Sequence, residues 1–220
     1  MTNVLDKGFV ELQTAWGGDG VIYLAAHMSR GGVKDVPEKE EVYRLLHLLM
    51  SSTPPHMSPF EFAGFTVRIK APLFVARQLV RHRLTSWMEK SLRYCVADEE
   101  YYTPDLKRVD PKGSQAQSIT ALTIRSYRSH MQGAFKKYHY LVNEGWPQEV
   151  ARGVLGTAVY TEWYMSANLR EWMHILLLRD DPHAQWETQQ YARAIGGYFE
   201  VWFPVVWRVF QEHKKRLKEE

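Results

Sequence analysis

The spacing of apolar residues changes period several times along the chain. "VLDKGFVELQTAW", residues 4–16, alternates weakly and predicts a first strand, followed by a turn at "GGDG" (17–20) and a helix over "GVIYLAAHMSR". "EEVYRLLHLLMSS" places Val42, Leu45, Leu46 and Leu49 on one helical face, and the prolines of "TPPHMSP" then break the chain. "FEFAGFTVRIKA", residues 60–71, returns to a period of two through Phe60, Phe62, Phe65, Val67 and Ile69, with a bend expected at Gly64: a strand with one buried face. Pro72 suits the first position of a helix, and "PLFVARQLVRHR" continues at helical spacing, so the segment just after it reads as a helix end running into a loop.

Beyond it, 101–114 reads as a polar loop and 116–145 as a long amphipathic helix closed by Gly145; 147–156 reads as a short helix. "TAVYTEWYMSA" (157–167) fits no single period. Asn168 is a plausible N-cap for "NLREWMHILLLR", and two further helices follow, the last fraying in "HKKRLKEE". No repeat, low-complexity linker or domain boundary stands out. The pattern is one helix-rich α/β or α+β domain, with a few strands that do not alternate cleanly with helices.

Composition changes this picture little. With 220 residues, 45% hydrophobic and 24% charged, the chain is long enough to bury a substantial core. A single cysteine, Cys95, excludes an internal disulfide and a cysteine-based zinc site. The start "MTNVLDKGFVEL" lacks the basic and apolar runs of a signal peptide, and no apolar stretch approaches the roughly 18 residues of a membrane span, so a cytoplasmic protein with no membrane partner is expected.

Charge changes the picture more. Residues 81–94, "RHRLTSWMEKSLRY", carry four cations against one anion, an excess equal to the net +3 of the whole chain. A charge run is ordinarily a solvated face. Here the cations gather where a helix ends, beside Gln78, Glu89 and Ser91, and three of the four are arginines, whose planar forks match phosphate and carbonyl groups. Arg152, Arg170 and Arg179 also sit on otherwise apolar helices, where a guanidinium needs a partner. Glu162, Glu171 and Asp180 could supply it, or an anionic ligand could. The mild pI, about 8.9, does not demand nucleic acid.

Other chemistries find no support: there is no HExxH, no P-loop and no GxSxG elbow, and the histidines form no ligand pair, so no metal is expected. Cys95 reads as a packed thiol and Ser91 as a hydrogen-bonding group with no base beside it. An enzyme built this way would lean on an organic cofactor for the difficult step.

The window resembles the signature of the flavin-dependent thymidylate synthases, RHRxxSxNExSxRY, met here by Arg81, His82, Arg83, Ser86, Glu89, Ser91, Arg93 and Tyr94. "HMSPFEF", "KAPLFVARQLVRHR", "EVARGVLG" and "LRDDPHAQWETQQYA" resemble other segments of that family, so the likeness runs over roughly residues 4–203. It implies the thymidylate synthase-complementing protein fold: one helix-rich α+β domain over residues 1–220 with a small, mostly antiparallel sheet, assembled as a homotetramer with FAD at subunit interfaces. It implies conversion of dUMP to dTMP, with 5,10-methylenetetrahydrofolate and NADPH as cosubstrates. By position, Gln78, Arg81, Glu89, Ser91, Arg93 and Arg152 would contact the nucleotide, and Arg179 would sit by the uracil as the catalytic residue. His56, Ser58, Arg81, His82, Arg83, Glu89, Asn168, Arg170, His174 and His183 would line the flavin or folate site.

Two positions depart from the pattern. Met88 replaces the signature's Asn, exchanging an amide for a thioether with almost no hydrogen-bonding capacity, and His174 stands where a polar amide is expected. Relatives that methylate UMP or hydroxymethylate the pyrimidine are therefore open alternatives. A nucleic-acid-binding module, or a scaffold without catalysis, are the more distant ones.

Overall fold

The computed structural model describes residues 1–114 and 117–219. Strands β1 (Thr2–Val4) and β2 (Gly8–Trp16) form a hairpin where the sequence predicts one strand, because Leu5, at positive φ, turns the chain between them. Helices α1 (Asp19–His27) and α2 (Lys39–Ser51) follow. A 3-10 turn over Ser58–Phe62 replaces the first half of the expected strand 60–71. Phe60 is buried there, but Phe62 points to solvent, so their alternation is not that of a sheet face. Strand β3 (Gly64–Pro72) begins at the predicted bend. A Cβ on Gly64 would lie 2.4 Å from the Ala167 carbonyl oxygen, so only glycine allows the neighbouring strand this close.

Helix α3 (Leu73–Leu79) is shorter than the predicted 72–83, and the window after it is not all loop: Ser86–Glu89 forms strand β4. The expected loop 101–114 contains one helical turn, α4 (Leu106–Val109), capped by the Asp105 carboxylate. The long helix α5 spans Gln117–Asn143; Ala116, where the sequence places its start, lies outside the described residues, as does the terminal Glu220. The expected helix 147–156 is α6 (Gln148–Ala151) followed by a 3-10 turn. The ambiguous 157–167 resolves as β5 (Tyr160–Asn168), and α7 (Leu169–Arg179), α8 (Trp186–Trp202) and α9 (Pro204–Arg216) complete the chain.

The sheet is antiparallel throughout, in the order β1-β2-β3-β5-β4. Its inner face carries Val10, Phe65, Val67, Ile69, Trp163, Met165 and Ala167, all buried against helices. Trp172 of α7 stacks on Phe65 at 4.6 Å and donates its indole N–H to the Phe65 carbonyl. A second, smaller core of Tyr101, Met131, Phe135, Tyr138 and Val159 packs α5 against the start of β5, and Phe74 touches both cores. The functional cleft opens at that seam.

Candidate functional site

Helix α3, strand β4, the 3-10 turn at Arg152–Val154 and the start of β5 enclose a cleft of about 560 Å³. β4 supplies its chemistry by alternation. Trp87 and Glu89 point inward, Trp87 stacking on Trp163 at 4.6 Å, while Ser86 and Met88 point outward. Glu89 is held by neutral donors: Thr161 Oγ1 donates to it at 2.7 Å and Trp87 Nε1 at 3.3 Å. Among the described residues no cation pairs with it, which leaves the carboxylate spare acceptor capacity. Ser91, Arg77 and Arg152 line the same space. Arg152 Nε donates to the Glu149 carbonyl at 3.2 Å, and among the described residues neither Arg152 nor Arg77 has a carboxylate within ion-pair reach. These two exposed guanidiniums border a concave, partly apolar cleft, a setting that suits an anion.

A second cluster runs along α7, from Glu171 in its first turn to Arg179 in its last. Arg179 Nε donates to His82 Nε2 at 3.0 Å, and His82 Nδ1 faces Glu171 Oε1 at 3.5 Å. His82 is 5% exposed and Glu171 6%. Burial first, then the charges of Arg179 and His174, pull the imidazole pKa down to about 4. A carboxylate at 3.5 Å would by itself favour an imidazolium. Glu171 is buried too, however, which pushes its own pKa up, so burial decides and the ring is neutral at pH 7. Burial also draws the Arg179 pKa down.

The expected substrate residues are thus divided. Glu89, Ser91 and Arg152 meet in the cleft. Gln78 turns toward α8 instead, donating to Gln185 at 2.6 Å and accepting from Thr188 at 3.0 Å. Arg93 is paired with Glu149 at 3.0 Å, and Arg81 is exposed with no carboxylate near it among the described residues. Of the expected cofactor residues, His56 and Ser58 are exposed beside the 3-10 turn, and Arg170 pairs with Glu61 at 2.5 Å. Asn168 caps α7 by accepting the Glu171 N–H at 3.0 Å through its side-chain oxygen, and its amide N–H groups meet no acceptor among the described residues. Arg83 is exposed like Arg81, while His174 stands edge-on to His82 at 5.5 Å. His183 is exposed and contacts Asp181 at 2.8 Å.

The carboxylates offered as partners for lone arginines serve others: Glu162 holds Arg68, and Asp180 holds Arg193 and Lys214. Met88 lies opposite Tyr164 on the outer face of the sheet, so the missing amide does not alter the cleft lining. Sequence reasoning missed Arg77, Trp87 and Thr161, and offered Glu171 only as a partner for a lone arginine, whereas it faces His82. Arg77 was within reach, standing four residues before Arg81 at helical spacing.

The chain is thus an α+β fold with a one-sided antiparallel sheet, a cleft at the sheet's edge bordered by Arg77 and Arg152, and an Arg179–His82–Glu171 cluster whose histidine and glutamate are buried. The profile described as "Thymidylate synthase complementing protein" matches residues 11–205. A flavin-dependent thymidylate synthase of Thermus thermophilus is 41% identical over 96% of this chain and 78% of its own length. That of Thermotoga neapolitana is 40% identical, covering 94% of this chain and 92% of its own. Among solved structures, the UMP/dUMP methylase PolB from Streptomyces cacaoi bound with 5-Br dUMP superposes with a TM-score of 0.84 at 29% identity, over 95% of this chain and 96% of that one. The same protein bound with 5-Br UMP gives 0.82 at 28% identity, over 97% and 98%. This chain belongs to the thymidylate synthase complementing protein family.

Proposed function

We propose that this chain is a flavoenzyme that reductively methylates C5 of a pyrimidine nucleoside monophosphate, foremost dUMP to dTMP. The carbon donor is 5,10-methylenetetrahydrofolate and the hydride source is FAD reduced by NADPH. The observation that carries the reading is the cleft: Arg77 and Arg152 uncompensated, beside a Glu89 carboxylate held by neutral donors. Bound flavin supplies the hydride chemistry that no side chain here offers.

The chain's own residues do the rest. Arg152 and Arg77 bind the phosphate, and Glu89 and Ser91 orient the nucleotide by accepting and donating hydrogen bonds. Among the described residues Arg179 is held through Nε, which leaves its remaining N–H groups for the pyrimidine, where a guanidinium stabilises negative charge growing on the ring. Arg81 and Arg83, without carboxylate partners, suit a pyrophosphate, and the free amide N–H groups of Asn168 suit a flavin carbonyl, so these residues fit FAD. Arg170, His82, His174, Ser58, His56 and His183 complete the expected surround.

Leu84, Met88 and Tyr94 are 80%, 74% and 79% exposed beside those arginines, which supports burial of this surface against further copies in a homotetramer. Among the described residues no helix is long and apolar enough to cross a membrane, in keeping with work in the cytoplasm.

The test is direct. The purified protein should take up FAD and oxidise NADPH only with nucleotide and folate present, and the product mass should be that of a methylated nucleotide. A colourless protein that binds no added FAD rejects the reading. A second reading, UMP as substrate, is favoured by the structural neighbour bound with 5-Br UMP. Turnover of dUMP and UMP measured side by side separates the two.

A further inference from the structure

We infer that Glu171, acting through His82, is the positioning residue that aims Arg179 at the reacting pyrimidine; the inference rests on the reading of Arg179 given above. Arg179 is half-buried; a carboxylate partner would hold it but would also cancel the charge that the reaction uses. Here Arg179 Nε donates to an imidazole at 3.0 Å, so the guanidinium is fixed in direction and keeps its full charge. Arginine has no acceptor, so His82 Nε2 must be the bare nitrogen and Nδ1 must carry the proton. The group facing Nδ1 is Glu171 Oε1, at 3.5 Å.

Glu171 sits two turns before Arg179 on α7, 6% exposed, with its backbone N–H tied to the Asn168 cap. Glu171, His82 and Arg179 all lie outside the lining of the Arg77–Arg152 cleft and form a cluster of their own, in which, among the described residues, the imidazole is the only group Glu171 faces besides its own helix. The carboxylate therefore acts on the ring: it selects the Nδ1–H tautomer, as the partner of one imidazole nitrogen does for the other. With Nε2–H instead, two donors would meet at 3.0 Å and Arg179 would be pushed aside.

The wild-type holoenzyme, labelled with ¹⁵N-histidine, should show His82 as the Nδ1–H tautomer at pH 7. Glu171→Leu removes the acceptor and should lower kcat about 10–100-fold, the range typical when a group orienting an imidazole is lost, with nucleotide KM and flavin content nearly unchanged. Glu171→Gln, which restores an acceptor oxygen, should recover most of the turnover and the tautomer. A wild-type His82 protonated on Nε2, or on both nitrogens, overturns the inference. So does a Glu171→Leu enzyme that turns over like wild type while Arg179→Ala is inactive. An active Arg179→Ala would instead reject the reading of Arg179, and the tautomer would still judge Glu171. If Glu171→Leu does not fold, the wild-type tautomer and Glu171→Gln decide: a Gln variant with the tautomer intact supports the inference, and one that loses the Nδ1–H form overturns it.

Discussion

His82→Gln should lose most stability, relative to the native chain, above pH 7, and should close much of the gap as the pH falls toward 4. The folded imidazole titrates near 4 against an ordinary 6.5, because it is 5% exposed and faces Arg179 and His174. Between those two values the unfolded chain binds the proton and the folded one does not, so stability rises with pH through that window and is level on either side of it. Each unit of depression corresponds to about 1.4 kcal/mol, so the native advantage should shrink by roughly 3 kcal/mol between pH 6.5 and 4. Glutamine does not titrate, and the carboxylates remote from the site are shared by both chains and cancel in the difference; Glu171, which faces the ring at 3.5 Å, is the one that does not. Urea unfolding of both proteins at one fixed concentration, in steps from pH 4 to 8, reads this out directly. A difference that stays level from pH 4 to 6.5 refutes the reasoning, because it requires an imidazole of ordinary pKa. A difference that grows toward acid would mean that Glu171 at 3.5 Å outweighs burial.

Lys214→Met should lower stability by about 1–3 kcal/mol, since this 11%-exposed ammonium lies 2.5 Å from Asp180 and ties α9 to the residue after Arg179; thermal unfolding checks it, with flavin content as control. Trp172→Ala should cost about 3–5 kcal/mol, through loss of the stack on Phe65 and of the bond to its carbonyl; the urea midpoint measures it. Arg152→Ala should leave stability within about 0.5 kcal/mol, being exposed and unpaired with any carboxylate, yet raise the nucleotide KM about tenfold or more; steady-state kinetics at varied nucleotide decides.

The elements legible in the sequence were those whose outward faces are polar. Phe65, Val67 and Ile69 alternate with Thr66, Arg68 and Lys70, so β3 announced its buried face. β5 did not, because its outward Tyr164 is as aromatic as its inward Trp163 and no period survives. β4 is four residues long inside a charge run, and pairing with β5 rather than local propensity makes it a strand. Residue order gave the signature and the Asn168 cap. It did not give the pairings made across the fold, such as Arg170 with Glu61 or Gln78 with Thr188, because these depend on which segments the sheet order brings together.

One such pairing explains why the cleft stays charged. Glu149 stands three residues before Arg152, a spacing at which a carboxylate and a guanidinium ordinarily meet on a helical turn. Its carboxylate goes instead to Arg93, from the window, at 3.0 Å, and Arg152 receives only the Glu149 carbonyl. Arg93 thereby keeps the acid away from the arginine that lines the cleft. The Arg93–Glu149 pair is itself about half exposed on both sides, so it contributes no more than about 1 kcal/mol. The phosphate role expected of Arg93 from the signature would require that pair to open, and Arg93 is not among the residues lining the cleft in this structure. The four cations of the window therefore do not act as one patch. Lys90 is matched by Asp98, Arg93 takes the Glu149 carboxylate that Arg152 would otherwise meet, and among the described residues Arg81 and Arg83 have no carboxylate partner on the surface where the flavin is proposed to bind.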